Sequence, residues 1–286
     1  MKLPPALRSE WANEPAWLAE LPVLAAECAE RWGLELEAPV DTPHSLVVPA
    51  GDVVLKLNAP SHFEADQEAD ALERWAGRGA VWLVARDDER RALLIERCRP
   101  GTRLWDADVD QAAVVVELLP RLEIEPAEPH PFRLLADEAE RWAEEVPRRY
   151  ELGGKPFEPE LLALAVDVFR STDRGAGVLV NQDLHGGNVL RAEREPWLVI
   201  DPKPLVGERE LDGVGPLRNA VDGGVQAIRR WLDVLTGLGL DGERLRGWGV
   251  AHALAWGWDD RDGWSRRAVA AARTIAAAED CERGRR

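Results

Sequence analysis

Cysteine is scarce in this sequence, and the few cysteines are far apart. Cys28, Cys98 and Cys281 are the 3 cysteines among 286 residues. Their number is odd, and no two of them form a C-x-x-C pair. Disulfide frameworks and structural zinc sites need paired or clustered cysteines, so neither is predicted.

Long apolar runs are also missing. No run is apolar for long enough to span a bilayer, and the first ten residues, MKLPPALRSE, lack the apolar segment of a signal peptide. Hydrophobic residues make up 45% of the chain, and 286 residues can bury the core of one large domain or of two lobes. We therefore expect a cytoplasmic enzyme that does not bind membranes.

Positive charge is the third shortage. The chain has 36 Lys and Arg residues against 52 Asp and Glu residues, a formal net charge of −16. This balance opposes binding to nucleic acid and to anionic membrane surfaces. It favours a small cationic substrate, although solubility alone is the better explanation when charge is considered by itself. The oligomeric state stays open.

One polar loop carries the strongest motif. It joins two predicted apolar strands, 178–180 and 197–200, and brings Asp183, Asn188 and Asp201 to one neighbourhood. Their oxygen atoms suit hard cations and phosphate groups, so no soft metal is predicted. Each residue alone is also typical of an ordinary turn, because Asp and Asn bond their own backbone. Only the combination indicates a functional site.

The spacing of these residues is that of a kinase catalytic loop. The pattern D-L-H-x-x-N-V-L begins at Asp183, and I-D-P-K-P-L-V-G-E follows from Ile200. Together they resemble the aminoglycoside and hydroxyurea phosphotransferases, the streptomycin kinase branch of the protein-kinase-like fold. The resemblance covers about residues 52–219.

The resemblance implies a two-lobe α+β fold. Residues 1–97 would form an N-terminal lobe with leading helices and a small antiparallel sheet that binds nucleotide. Residues 98–286 would form a mainly helical C-terminal lobe with the catalytic loop and an acceptor pocket. Asp183 would position the acceptor hydroxyl, and Asn188 and Asp201 would bind Mg²⁺.

The activity implied is transfer of the γ-phosphoryl group of ATP to a hydroxyl of a small molecule, foremost a streptomycin-type aminoglycoside. Hydroxyurea or another metabolite is an alternative acceptor. A second alternative is a nucleotide-binding relative without catalysis. Asn181 and Gln182 stand where the family usually has His-Gly, and the segment 41–45, at the place of a Gly-rich loop, contains no glycine. Ser45 there is either a phosphate contact or a turn residue.

Lys56 lies in the predicted strand of a hairpin, 45–48 with 52–57. A lone strand lysine is usually a solvated charge. The sequence V-V-L-K-L followed by an acidic helix, however, matches the kinase arrangement in which the lysine binds ATP phosphates and pairs with a helix glutamate. We assign Lys56 to ATP and Glu68 to its partner, with Glu64 as the alternative.

Three further assignments complete the sequence-based picture. Main-chain groups of Glu96 and Cys98, in the segment that resembles the family's hinge, would bind adenine. Asp212 would hold a loop by hydrogen bonds. A cationic substrate would be bound by three aspartates close to tryptophans, which form either a cation pocket or a solvated turn: Asp259, Asp260 and Asp262.

Overall fold

A computed structural model describes residues 1–175 and 177–278 of the chain. Cys281 and the arginine-rich end at 283–286, for which we predict fraying, lie outside the described residues. Within the described part, no helix is both long and apolar enough to cross a membrane. The described chain divides into two compact units, which are taken in turn. The lobe boundary at residues 97 and 98 stays a prediction.

The first unit consists of Met1–Ala107 and Val189–Lys203. Its four-stranded antiparallel sheet has the order β1 (Ser45–Ala50), β2 (Val53–Asn58), β4 (Ala92–Glu96), β3 (Leu83–Asp87). A two-stranded ladder, β6-β7, belongs to the same unit. The elements are α1 (Pro5–Glu10), α2 (Pro15–Trp32), β1 (Ser45–Ala50), β2 (Val53–Asn58), α3 (Glu68–Trp75), β3 (Leu83–Asp87), β4 (Ala92–Glu96), β6 (Val189–Arg191) and β7 (Trp197–Val199).

The core of this unit lies between α2 and the sheet. Apolar residues near helical spacing on α2, among them Trp17, Leu21 and Cys28, pack with Leu55 and Leu57 of β2. Burial of side chains of this size contributes about 1.5–3 kcal/mol each to the stability of the fold. This gain stabilises α2 with its apolar face against the sheet. Leu55 and Leu57 face this core, and side chains alternate along a strand. Lys56, which lies between the two leucines, therefore points to the opposite face of the sheet.

The sequence prediction for this unit is partly wrong at its edges. The apolar spacing over 6–32 predicts either one helix or two shorter ones, because Pro15 and Pro22 interrupt it. The structure has two, α1 and α2, and Gly33 ends α2 with φ 64 as predicted. The alternation of apolar and charged residues at 34–37 predicts a strand, and this prediction is wrong. The Glu37 amide donates to the Pro49 carbonyl, but no continuous ladder follows. The predicted hairpin forms, with its turn at Gly51 and Asp52.

Ser61, with Glu64 three residues later, predicts the capped start of a helix over 61–75. The helix observed there, α3, begins only at Glu68. The hydroxyl of Ser61 donates to the carboxylate of Glu14, so it does not cap a helix. The segment Phe63–Ala65 forms a 3₁₀ turn instead. As a result, Glu68 is the first residue of α3, and Glu64 lies outside this helix. The two glutamates therefore do not share one helix face.

The second unit consists of Asp108–Asn188 and the chain from Pro204 onwards. It is mainly helical, with two short antiparallel ladders. One pairs β5 (Val178–Val180) with β8 (Leu205–Gly207), and the other pairs β9 (Trp258–Asp259) with β10 (Gly263–Trp264). The elements are α4 (Gln111–Leu122), α5 (Leu135–Leu152), α6 (Pro159–Arg170), β5 (Val178–Val180), β8 (Leu205–Gly207), α7 (Val214–Asn219), α8 (Gly224–Gly237), α9 (Gly242–Ala255), β9 (Trp258–Asp259), β10 (Gly263–Trp264) and α10 (Arg266–Ala276).

Helix α9 is the central helix of the second unit. Every residue from Gly247 to Ala255 is buried, and the helix packs against both α6 and α10. Trp248, at its middle, lies close to Trp142 and Phe169. A helix that is buried on all sides needs no polar face, which is why α9 lacks the periodicity of its neighbours. A small antiparallel sheet and a mainly helical second unit confirm the predicted α+β class.

Candidate active site

Lys56 lies at the centre of a buried ionic cluster in the first unit. Its Nζ is 2.7 Å from both carboxylate oxygens of Glu68 and 2.6 Å from Oδ1 of Asp201. Lys56 and Glu68 are buried, and the Asp201 side chain is 24% exposed. The structure therefore brings together three of the residues singled out in the sequence, in the arrangement that the kinase resemblance implies for Lys56 and Glu68.

Glu68 is held from a second direction. Asn58, the last residue of β2, donates from Nδ2 to Glu68 Oε2 at 3.3 Å. The buried Ser45 hydroxyl in turn donates to Asn58 Oδ1 at 2.6 Å. These two hydrogen bonds give the buried side chains of Ser45 and Asn58 partners, as burial requires. Ser45 thus supports the glutamate that pairs with Lys56.

Asp201 follows β7 and has a left-handed backbone, with φ 52. Its Oδ1 also accepts from Lys203 Nζ at 2.7 Å. Burial alone would raise the pKa of Asp201, but the ammonium groups of Lys203 and Lys56 outweigh it and hold that pKa below its ordinary value. Asp201 is therefore an ionised carboxylate, suited to oxygen-preferring cations.

His62 is a neutral neighbour of this cluster, and no sequence motif singles it out. It is buried, and its ring lies 5.8 Å from the rings of Trp11 and His44. Burial, together with the charges of Lys203 and Lys56, lowers its pKa to about 3. His62 therefore adds no positive charge near the two lysines at neutral pH.

Glu96 and Cys98 lie where β4 ends. The Glu96 carboxylate is engaged by Arg194, and Cys98 is a partly buried free cysteine. Three guanidinium nitrogens of Arg194 are engaged here: Nε and Nη2 bind the Glu96 carboxylate at 2.8–3.1 Å, and Nη1 binds the carbonyl of Gly77. Burial and the charge of Glu96 raise the pKa of the Cys98 thiol to about 12. The Arg97 amide donates to the Asp52 carbonyl beside β2, whereas the Glu96 amide donates to the Trp82 carbonyl.

Asp183 and Asn188 meet in the loop after β5 of the second unit. Asn188 donates from Nδ2 to Oδ2 and to the main-chain oxygen of Asp183, both at 3.2 Å. This leaves the carbonyl oxygen of the Asn188 amide as the atom that its side chain can offer to a cation. His185 accepts from the Gly187 amide at Nδ1, and its Nε2 lies 3.6 Å from Asp183 Oδ2.

Two buried residues brace this loop. Asp212 Oδ1 accepts from the amides of Asn181 and Gln182 at 2.7 and 3.0 Å, which confirms its predicted loop-holding role. Asn181 Oδ1 accepts from the Asp183 amide at 3.1 Å. An asparagine here thus makes the bracing bond, although the related family usually has a histidine. Burial raises the pKa of Asp212 to about 7 despite the two amide donors.

Sequence reasoning missed Arg218 as a site residue. Its Nη2 donates to Asp183 Oδ1 at 2.8 Å, and its guanidinium lies 5.3 Å from the centre of the Trp256 ring. The partners are 35 residues apart and share no motif, so only the tertiary structure reveals the pair. Both oxygens of Asp183 are thereby contacted by positive or amide donors.

The three aspartates predicted for the substrate lie on the hairpin formed by β9 and β10. Asp259 accepts from the amides of Arg261 and Asp262, which lowers its pKa. Asp260 accepts from the Trp258 indole at 2.7 Å. Asp262 is exposed. The contacts of Asp259 and Asp260 are those of a well-formed turn, and the substrate role of all three stays a prediction.

Comparisons with known proteins agree on one family. The model of the family described as aminoglycoside/hydroxyurea antibiotic resistance kinase matches residues 31–263. Streptomycin 6-kinase from Streptomyces glaucescens is 38% identical over 87% of this chain and 86% of its own length. Hydroxyurea phosphotransferase from Kitasatospora aureofaciens is 37% identical over 82% of this chain and 71% of its own.

A solved structure agrees at the level of the fold. A thermostable mutant of aminoglycoside phosphotransferase APH(4)-Ia, in a ternary complex with ADP and hygromycin B, superposes with a TM-score of 0.61 at 14% identity. The match covers 88% of this chain and 97% of that one. These findings confirm the family resemblance and the protein-kinase-like fold that the motifs predicted.

Proposed function

Because the chain belongs to the aminoglycoside and hydroxyurea antibiotic resistance kinase family, we propose that it transfers the γ-phosphoryl group of ATP to a hydroxyl group of a streptomycin-type aminoglycoside. One observation carries the proposal. Lys56 is held at 2.6–2.7 Å between Glu68 and Asp201, in a buried position where an isolated lysine would be unstable. Such a preorganised ammonium group suits nucleotide phosphates.

In the proposed reaction, the acceptor oxygen forms a bond to the γ-phosphorus, and the bond from that phosphorus to the bridging oxygen of ADP breaks. Asp183 accepts or orients the hydroxyl proton as the new bond forms. Its geometry supports this role, because Arg218 and Asn188 fix both of its carboxylate oxygens. Positioning of this kind is the main contribution that a kinase makes to phosphoryl transfer.

Magnesium fits the donor atoms of the chain. Asp201 offers an ionised carboxylate and Asn188 an amide carbonyl, both hard oxygen ligands. Among the described residues, no group of three or more His, Cys, Asp or Glu side chains could hold a metal ion alone. Nucleotide phosphates and water would complete the shell, which is the usual arrangement for Mg²⁺. The bound ion would neutralise phosphate charge.

The proposed nucleotide contacts follow from the first unit. Lys56 would bind the phosphates, with Glu68 as its support. The adenine would bind the main chain of Glu96 and Cys98, and the Glu96 carboxylate is already engaged by Arg194. We propose that a cationic group of the acceptor binds beside tryptophan rings at three aspartates: Asp259, Asp260 and Asp262.

Hydroxyurea is a second candidate acceptor, since the relative named hydroxyurea phosphotransferase is 37% identical to this chain. The test is magnesium- and ATP-dependent phosphorylation of streptomycin, other aminoglycosides and hydroxyurea, scored by product mass. Asp183→Ala should abolish the product. Asp222→Ala, which removes an exposed carboxylate paired with Arg267, should leave it unchanged. Binding of ATP without any phosphorylated acceptor would favour a non-catalytic nucleotide-binding protein.

A further inference from the structure

Two residues at the C-terminal end of α9 contact the neighbours of Asp183: one contacts Arg218, which binds its carboxylate, and the other contacts Gln182, which precedes it in the chain. His252 and Trp256 are four residues apart, so they lie on one face of the helix end. Their ring centroids are 4.3 Å apart. His252 is fully buried, whereas Trp256 is partly buried. Neither residue belongs to the kinase motifs, and both are within the second unit.

Trp256 supports the arginine that binds Asp183. The guanidinium of Arg218 lies over the Trp256 ring at 5.3 Å while Nη2 donates to Asp183 Oδ1 at 2.8 Å. An arginine side chain is long and flexible, and an ion pair in contact with solvent does not fix it firmly. A guanidinium plane resting on an indole face has far fewer orientations. Trp256 therefore restricts the direction from which Arg218 approaches Asp183.

His252 supports the residue that precedes Asp183. Gln182 donates from Nε2 to His252 Nε2 at 3.4 Å, and both residues are buried. Gln182 has φ 68, a left-handed conformation that residues with a side chain adopt at a cost. Burial and the charge of Arg218 lower the pKa of His252 well below its ordinary value, so the ring stays neutral and its Nε2 can accept.

We propose that Trp256 and His252 are positioning residues for phosphoryl transfer: Trp256 orients the Asp183 carboxylate through Arg218, and His252 holds the backbone before Asp183 through Gln182. The contacts form a closed path, because Gln182 and Asp183 are consecutive and the Trp256 ring contacts the His252 ring at a tilt of 43°. The proposal rests on the proposed function, since Asp183 is taken as the group that handles the acceptor hydroxyl.

The first test separates orientation from binding. Trp256→Leu should lower kcat by about tenfold, with the KM values for ATP and for the acceptor changed less than about twofold, because small misplacements of a catalytic group affect the transition state most. Trp256→Phe retains an aromatic face and should stay within about threefold of the parent kcat. Trp231→Leu, the same change on α8, should leave both constants unchanged. A raised acceptor KM at unchanged kcat would overturn the proposal, because Trp256 would then be a substrate-binding residue.

A double-mutant cycle distinguishes positioning from general loss of packing. If Trp256 acts through Arg218, the Trp256→Leu effect should disappear in an Arg218→Met background. Fully additive effects would overturn the proposal. Gln182→Met and His252→Phe remove the same hydrogen bond and should lower kcat by the same factor, with no further loss in the double variant. Trp256→Met gives the same cycle if the Leu variant does not fold.

A crystal structure of the Trp256→Leu protein provides a measurement that does not depend on turnover. Arg218 should no longer lie within hydrogen-bond distance of Asp183 Oδ1, whereas in the Trp256→Phe protein the contact should remain. An unchanged Arg218–Asp183 contact in the Leu variant would overturn the positioning role even in an active enzyme. If the parent protein phosphorylates no acceptor, the proposed function fails, but this structural comparison still decides the positioning role of Trp256.

Discussion

Lys203 donates to the same carboxylate oxygen of Asp201 that binds Lys56, at N–O distances of 2.7 and 2.6 Å. Two buried ammonium groups therefore share one oxygen atom. Their charges keep Asp201 ionised in surroundings that would otherwise favour its neutral form. This relationship links the stability of the first unit to the charge state of a proposed magnesium ligand.

Replacing Lys203 by Met should make stability less dependent on the ionisation of Asp201. The lowered pKa of Asp201 contributes stability that is present above the unfolded-state pKa of about 4 and is lost as the pH falls towards the folded-state value. We expect Lys203→Met to lose about 1.5–3 kcal/mol of unfolding free energy at pH 7, as for a hydrogen bond to a charged group. In urea titrations from pH 7 to pH 3, the difference from the parent protein should shrink below about pH 4.

The exposed Lys2→Met change is the control for this experiment, and it should shift the unfolding free energy by less than about 0.5 kcal/mol at every pH. A difference between Lys203→Met and the parent protein that stays constant down to pH 3 would show that Lys203 does not stabilise the ionised form of Asp201.

Removing the charge of Glu68 should destabilise the fold. Glu68 is fully buried and offers both oxygens to Lys56 at 2.7 Å. Glu68→Gln leaves a buried ammonium group with one carboxylate partner fewer, which we expect to cost about 3 kcal/mol. Denaturant unfolding at pH 7 measures this loss. Glu73→Gln on the same helix changes only a surface contact to Arg86 and should cost less than about 1 kcal/mol. Equal effects of the two changes would contradict a special role for the buried pair.

Asp212 should make the protein less stable as the pH rises. Its pKa is raised to about 7 in the folded chain, so its favourable contribution is present in full below about pH 4 and is lost as the pH rises through about 7. Asp212→Asn can still accept from the Asn181 and Gln182 amides but carries no charge. Relative to the parent protein, this variant should gain stability between pH 5 and pH 8.5, by as much as about 4 kcal/mol.

Thermal and denaturant unfolding at several pH values test this expectation for Asp212. The exposed Asp222→Asn change should show no such trend. Parallel pH profiles of the parent protein and Asp212→Asn would mean that the two amide donors keep Asp212 ionised in the fold.

The sequence could predict those parts of the site whose neighbours are set by short-range patterns. Lys56 and Glu68 are 12 residues apart, and strand alternation and helix position bring them together. Asp183 and Asn188 belong to one loop. The ladder pairing Val178–Val180 with Leu205–Gly207 fixes the start of that loop. Such features depend on local backbone geometry, and short sequence motifs are sufficient to predict that geometry.

The contacts made by Arg218 and Trp256 could not be predicted in this way. Their approach to Asp183 depends on how α7 and the end of α9 pack, and neither side chain carries a recognisable spacing. The prediction of where α3 begins was wrong for a similar reason. The Ser61 hydroxyl donates to Glu14, 47 residues away in the sequence, and makes no local capping bond. Tertiary hydrogen bonds overrode the local preference.

Gln182 offers a direct measure of the backbone cost at the residue before Asp183. With φ 68 it occupies a conformation that costs a residue with a Cβ atom about 1 kcal/mol or more and a glycine almost nothing. Gln182→Gly removes this cost but also loses the hydrogen bond to His252, which is worth about 1 kcal/mol. The two effects oppose each other, so its unfolding free energy should stay within about 1 kcal/mol of the parent value. Gln182→Ala loses the bond and keeps the strained backbone, so it should be less stable than Gln182→Gly by about 1 kcal/mol. Denaturant titrations of the three proteins decide the matter: an alanine variant at least as stable as the glycine variant would show that the left-handed backbone at Gln182 stores no strain.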